Sequence, residues 1–193
     1  MGERSAVKKQ LIVDAARRVF ADKGYKDVTM TDIVEACGIS RGGLYLYFGS
    51  TRELFLEVMR AEEGMDDDVF AGQLGEDAAA VDVLMLFFRE QKREILGKKG
   101  DLSMAVYEYC FAGEDGKEEP ALKRRFESAI RALERLIEAG IDDGSFYEVD
   151  AREVSRNVMY ALEGMRICSR TMGLTEAEVD GELLALARGL VAE

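Results

Sequence analysis

Apolar residues recur at helical spacing almost from the first position of the chain. Between Val7 and Lys23, the residues Leu11, Ile12, Ala15, Ala16, Val19 and Phe20 form one stripe, and Lys8, Lys9, Arg17 and Arg18 fall outside it. Gly24 follows as a left-handed stop. Thr29 then reads as an N-cap, with Asp32 as its reciprocal partner in a variant capping box. That second helix is short and ends near Cys37-Gly38. Ser40 caps a third, expected from Arg41 to about Phe48. Ser50 and Glu53 open a fourth, running through Met59 and on to Phe70. Further helices are expected at about 77–97, 101–112, 117–140, 150–172 and 175–192, with Asp150 and Thr175 capping the last two. Glycines mark breaks at 72 and 75, 97–100, 113–116 and 140–144. The pattern predicts an all-α fold of about nine helices: an N-terminal three-helix domain and a C-terminal helical bundle.

The helix after Ser40 is unusual. Gly38 allows a tight turn before it, and Ile39 plugs the angle between the two short helices. Its first turn holds Arg41, Gly42 and Gly43, although each glycine costs a helix about 1 kcal/mol relative to alanine. Glycine there lets the backbone approach a partner closely, and a helix N-terminus offers free N–H groups to an anion. Tyr45 and Tyr47 follow, with Leu44 and Phe48 spaced to face inward. A cationic, small, hydroxyl-rich side opposite an apolar one suits a helix laid in a DNA major groove.

Composition narrows the function classes. The chain has one proline, Pro120, and long Ala/Leu/Glu/Arg-rich stretches, which agrees with helices throughout. It has no histidine, which removes Ser-His-Asp, Cys-His and H-E-x-x-H chemistry and most zinc sites. Catalysis, a cofactor and a metal are therefore not expected. Cys37, Cys110 and Cys168 are scattered and read as reduced, packed thiols. No apolar run approaches the ~18–20 residues of a membrane span, and MGERSAVKKQ lacks a signal core. The expected location is the cytoplasm, on the nucleoid when DNA is bound, with no membrane partner.

The net charge of -12 is unevenly spread. Residues 1–60 hold 10 Lys/Arg against 8 Asp/Glu, a net of +2, and residues 61–193 hold 16 against 30, a net of -14. DNA would repel the second part, so cations on one face of the first must carry any binding.

The stretch TMTDIVEACGISRGGLYLYFGSTREL resembles the DNA-binding domain of the TetR family of regulators. The family pattern T-x-x-I-A-x-x-A-G-V-S-x-G-T-L-Y-x-Y-F-x-S-K-E-x-L is carried here by Ile33, Val34, Cys37, Gly38, Ile39, Ser40, Gly42, Gly43, Leu44, Tyr45, Tyr47, Phe48, Ser50 and Leu54. The resemblance is specific over residues 8–60 and general beyond them. It implies that Thr29, Ser40, Tyr45 and Tyr47 bond phosphates and that Arg41 reaches a base edge or a phosphate. Gly42 would touch a thymine methyl or a sugar through its backbone. Two departures stand out: Gly43 replaces the usual Thr, and Thr51-Arg52 replaces Lys-Glu, which removes or shifts one phosphate-binding cation.

The rest of the chain supplies two further expectations. Phe87, Phe88, Met104, Tyr107, Phe111 and Met159, with Glu163, could line a pocket for an apolar or amphipathic small molecule, or they could be ordinary bundle core. Glu108, Glu163 and Arg166 could orient a charged ligand or form salt bridges. Val154, Val158, Ala161, Leu162 and Met165 make one apolar stripe, and Val179, Leu183, Leu186/Ala187 and Leu190 another. Their place at the end of a family-like chain implies a two-fold four-helix dimer interface. The expected division is a helix-turn-helix domain over 1–50 and a ligand-binding and dimerisation domain over 51–193. The expected function is a ligand-responsive regulator: a homodimeric repressor on a palindromic operator in double-stranded DNA, released by a small effector. The alternative is a helix-turn-helix protein controlled by a protein partner.

Overall fold

The structure, a computed structural model, describes residues 3–66, 78–97, 101–113 and 121–192. Among the described residues there are nine helices and no strand: α1 (Glu3–Lys23), α2 (Met30–Cys37), α3 (Arg41–Tyr45), α4 (Thr51–Asp66), α5 (Ala80–Leu96), α6 (Ser103–Ala112), α7 (Ala121–Asp142), α8 (Ala151–Thr171) and α9 (Glu176–Arg188). The expected end of the fourth helix at Phe70, the start of the seventh at 117, and the breaks at 72, 75, 98–100 and 114–116 lie outside the described residues. No described helix is long and apolar enough to cross a membrane.

The chain packs as two units, residues 1–65 with 98–122 and residues 66–97 with 123–193. This differs from the expected division at residue 50. Both α4 and α6 carry side chains into the core of the N-terminal helices. Phe55 of α4 sits edge-on to Phe20 with ring centroids 4.9 Å apart, and lies 5.0 Å from Tyr25 and 5.2 Å from Tyr109 of α6. Such aromatic contacts add to the stabilisation from simple burial. Glu108, also on α6, accepts hydrogen bonds from the backbone N–H groups of Tyr25 (2.7 Å) and Lys26 (3.0 Å). It thereby holds the chain where it leaves α1. Gly24 makes that exit possible, with φ +81° and no room for a Cβ against the Glu108 carboxylate.

In the second unit, α5, α7, α8 and α9 enclose a separate core that includes Leu84, Phe88, Leu133, Ile137, Leu162 and Val179. Asp150 caps α8 through Glu153 N–H, and Thr175 caps α9 in a capping box with Glu178, as the sequence predicts. The end of the chain is tied back by backbone bonds from Tyr147 N–H to Leu190 C=O and from Ala192 N–H to Ser145 C=O, both 2.9 Å. Arg166 of α8 bonds Glu163 at 2.9 Å and reaches Glu94 at 3.2 Å and Gln91 on α5. It is a structural clamp between these two helices.

The stripes assigned to a dimer interface point elsewhere. Val158, Leu162, Met165, Leu183 and Leu190 are buried in the chain's own core, and Val154 packs against it. Hydrophobic periodicity marks which face of a helix is covered but not what covers it, and here α5 belongs to the same chain. The faces left open on the two helices hold Tyr160 (65% exposed), Gly164 and Ile167 (43%) on α8, and Gly181 and Leu184 (49%) on α9. Ala161 borders the α8 face, half-buried.

Candidate nucleic-acid interface

Three local devices set the angle of α3. Thr29 accepts from Asp32 N–H at 3.3 Å while the Asp32 carboxylate accepts from Thr29 N–H at 2.7 Å, which closes the capping box at the start of α2. Gly38 ends α2 in the left-handed region, φ 64°, and its N–H bonds back to Glu35 C=O. Ser40 then caps α3, its Oγ accepting from Gly43 N–H at 3.1 Å. α3 ends at Tyr45, sooner than the spacing predicts. The chain stays turned beyond it, through bonds from Leu46 N–H to Gly42 C=O (3.2 Å) and from Phe48 N–H to Leu44 C=O (3.1 Å).

Leu44 and Phe48 are buried, so the polar side of α3 is outward. Arg41, Gly42 and Tyr45 (48%) are exposed, and Gly43 and Tyr47 are half-buried. A Cβ built at Gly42 meets nothing within 4 Å. Nothing in the fold asks for glycine there. At Gly43 a Cβ would stand 3.2 Å from the Ser40 Oγ, so that glycine eases the cap. Arg41 is steadied by a 3.0 Å bond from its guanidinium to Thr31 Oγ1, and the Tyr47 hydroxyl accepts from Ser5 Oγ at 3.5 Å. Thr51 opens α4, capped by Ser50 through Glu53 N–H (3.1 Å).

The electrostatics divide the cations named from sequence. Lys9 pairs with Glu57, and Arg17 pairs with Glu62 through Nε at 2.7 Å and Nη2 at 3.2 Å. These pairs neutralise half of the α1 set, while Lys8 and Arg18 stay exposed. Lys23, 2.5 Å from Asp32, holds that carboxyl far below the usual carboxylate range, and bonds from Thr29 add to the effect. Because the Asp32 pKa is depressed, the carboxylate half of the capping box is present at neutral pH and is lost as pH falls below the ordinary carboxylate range. Burial raises the Cys37 thiol, which packs beside the core as a small side chain in place of the family's alanine.

Thr29 is placed differently from the role implied for it. Its hydroxyl donates to Asp32 at 2.6 Å and accepts from Asp32 N–H, so both functions are engaged in the capping box. Two residues of the site were missed in the sequence. Thr31, the anchor of Arg41, left no signal beyond its hydroxyl. Leu46 did leave one: it lies two positions from each of the inward-facing Leu44 and Phe48, and so near the opposite side of the helix. The pocket candidates fall in both units. Met104, Tyr107 and Phe111 lie on α6 in the first unit, whereas Phe87, Phe88, Met159 and Glu163 belong to the second. Phe87, Phe88 and Met159 are core there, and Glu163 is paired with Arg166.

Residues 12–58 match the bacterial regulatory proteins of the tetR family, and residues 83–180 match the tetracyclin repressor-like C-terminal domain. The chain belongs to the TetR family. Its relatives include the uncharacterized HTH-type transcriptional regulator YfiR of Bacillus subtilis, 33% identical over 72% of this chain and 67% of that protein. The HTH-type transcriptional repressor AcnR of Corynebacterium glutamicum is 38% identical over 32% of each chain. Among solved structures, a TetR-family regulator from Agrobacterium tumefaciens shares the fold with a TM-score of 0.78 at 17% identity, covering 97% of this chain and 99% of that one. A transcriptional regulator from Saccharomonospora viridis in complex with choline superposes with a TM-score of 0.74 at 20% identity, over 97% and 100%. The matched residues 12–58 include α2 and α3, and the relatives are named as HTH-type transcriptional regulators.

Proposed function

We propose that this TetR-family chain is a repressor that binds a palindromic operator as a homodimer and is released by a small apolar or amphipathic effector. The observation that carries the operator reading is the outward side of α3, where Arg41, Gly42 and Tyr45 are exposed beside a backbone with no Cβ in the way. In this reading Arg41 leaves Thr31 for a base edge or a phosphate, and Gly42 brings the backbone against the groove. Ser40, Tyr45, Tyr47 and the Thr51 hydroxyl contact phosphates, with Gly43 allowing close approach. Thr29 acts from behind, by fixing α2.

Arg41→Ala is expected to weaken binding to the duplex that the purified chain enriches from a random-sequence library. If Arg41 reads a base bidentately the loss is about 1–3 kcal/mol, with relaxed preference at one position per half-site. Fluorescence anisotropy measures it, and an unchanged affinity would remove Arg41 from the interface.

Dimerisation runs through the open faces of α8 and α9, around Tyr160, Gly164, Ile167, Gly181 and Leu184, where small residues permit close helix approach. Leu184→Arg is expected to give a monomer in sedimentation velocity with its melting temperature close to that of the wild type. Leu183→Arg, one residue away but buried, is expected to lower the melting temperature instead. A Leu184→Arg protein that remains dimeric would move the interface elsewhere.

Two structural neighbours were solved with small molecules, choline in one and stearoyl-CoA in the other. They support a small-molecule effector for this chain; in this reading its site lies in the C-terminal unit, where Phe87, Phe88 and Met159 would have to part from the core and Glu163 from Arg166 to admit it. Release requires that the effector bind the DNA-incompetent arrangement more tightly than the competent one.

A further inference from the structure

We infer that Leu46 reads the 5-methyl group of one thymine in each operator half-site and so fixes a base of the recognised sequence, an inference that rests on the operator reading above. Leu46 is 83% exposed, although its neighbours Leu44 and Phe48 are buried. Its backbone N–H bonds to Gly42 C=O, which puts it one turn above Gly42 on the same side of the helix. The Gly42 position is bare, so the isobutyl group of Leu46 stands clear of the helix where the backbone comes nearest a partner. Arg41 and Tyr45, themselves four residues apart, are exposed alongside it.

The surroundings select nucleic acid over an apolar partner. Residues 38–52 contain two arginines, Arg41 and Arg52, and no acidic residue, in a chain with 38 Asp and Glu. An apolar side chain amid hydroxyls and cations has no hydrogen bond to offer a phosphate. Set against the edge of guanine, cytosine or adenine, it would cover donors and acceptors and leave them unpaired. The thymine methyl is the apolar group that the major groove displays, and contact with leucine removes both from water. Leu46 thus favours thymine at the base it covers and disfavours the others.

The test uses the full chain and the duplex it enriches from a random-sequence library. Each thymine of one half-site is replaced in turn by 2′-deoxyuridine, which removes the methyl and keeps the pairing. At one thymine the replacement is expected to weaken wild-type binding about fourfold, the worth of one buried methyl. Leu46→Ala, with an unchanged melting temperature because the side chain is exposed, is expected to bind the thymine and uracil duplexes alike. Leu46→Met is expected to keep the preference. The inference is overturned if no thymine is sensitive to loss of its methyl, if the enriched sequence has no thymine, or if Leu46→Ala keeps the wild-type ratio. If the chain enriches no duplex, the operator reading itself falls, and that outcome is distinct from enrichment without methyl sensitivity.

Discussion

Phe55→Ala is expected to destabilise the N-terminal unit by about 3–5 kcal/mol, the usual cost of emptying a fully buried phenylalanine site. Phe55 is in ring contact with Phe20 of α1, Tyr25 beyond it and Tyr109 of α6. Its loss leaves a cavity among groups from α1, the turn after it and α6, and they cannot close over it without moving α4. A domain's total stability is only about 5–15 kcal/mol, so much of it would go. The chain has no tryptophan, and Tyr25 and Tyr109 lie against the missing ring, so tyrosine fluorescence during urea unfolding reports the change. DNA binding is expected to fall with the folded fraction. A urea midpoint equal to that of the wild type would contradict this view of the core.

Gly42→Leu separates the fold from the function. Within the chain the added side chain meets open space, and leucine is a better helix former than glycine, so the protein is expected to become more stable by up to about 1 kcal/mol. On DNA the same side chain occupies the gap between helix and groove. Overpacking costs about 1–3 kcal/mol per site. Two heads on one operator therefore lose at least roughly 2 kcal/mol, or about thirtyfold in affinity. Melting and anisotropy on the same sample give both signs. Undiminished affinity would place Gly42 away from the groove, and a lower melting temperature would mean that the glycine serves the fold.

What could be read from the sequence was local. Thr29 with Asp32, Ser40 with Gly43 and Ser50 with Glu53 are each three residues apart, so side-chain chemistry alone announces the turns that aim α3. Long-range packing was not legible. The bond between Glu108 and Tyr25 joins residues 83 positions apart, and it helps place α6 with the N-terminal helices rather than with its sequence neighbours. The candidate pocket residues Met104, Tyr107 and Phe111 went with it. The stripes on α8 and α9 were seen correctly as apolar faces, yet no periodicity distinguishes a face covered by α5 from one covered by a second chain. Leu183 and Leu184 show the difference at adjacent positions, one in the core and one open. At α3 the two glycines were read as an invitation to a close partner. Gly42 retains that reading because the fold gives it no other reason, whereas Gly43 has one in its cap.

The central claim is that the outward side of α3 lies in the major groove, once for each of two heads. Methylation interference on the enriched duplex tests it most directly, since dimethyl sulfate marks guanine N7 in the major groove and adenine N3 in the minor. Interference is expected at guanine N7 in two clusters about one helical turn, ~10 base pairs, apart or a multiple of that. Interference confined to adenine N3, or none at guanines within the protected sequence, would contradict it.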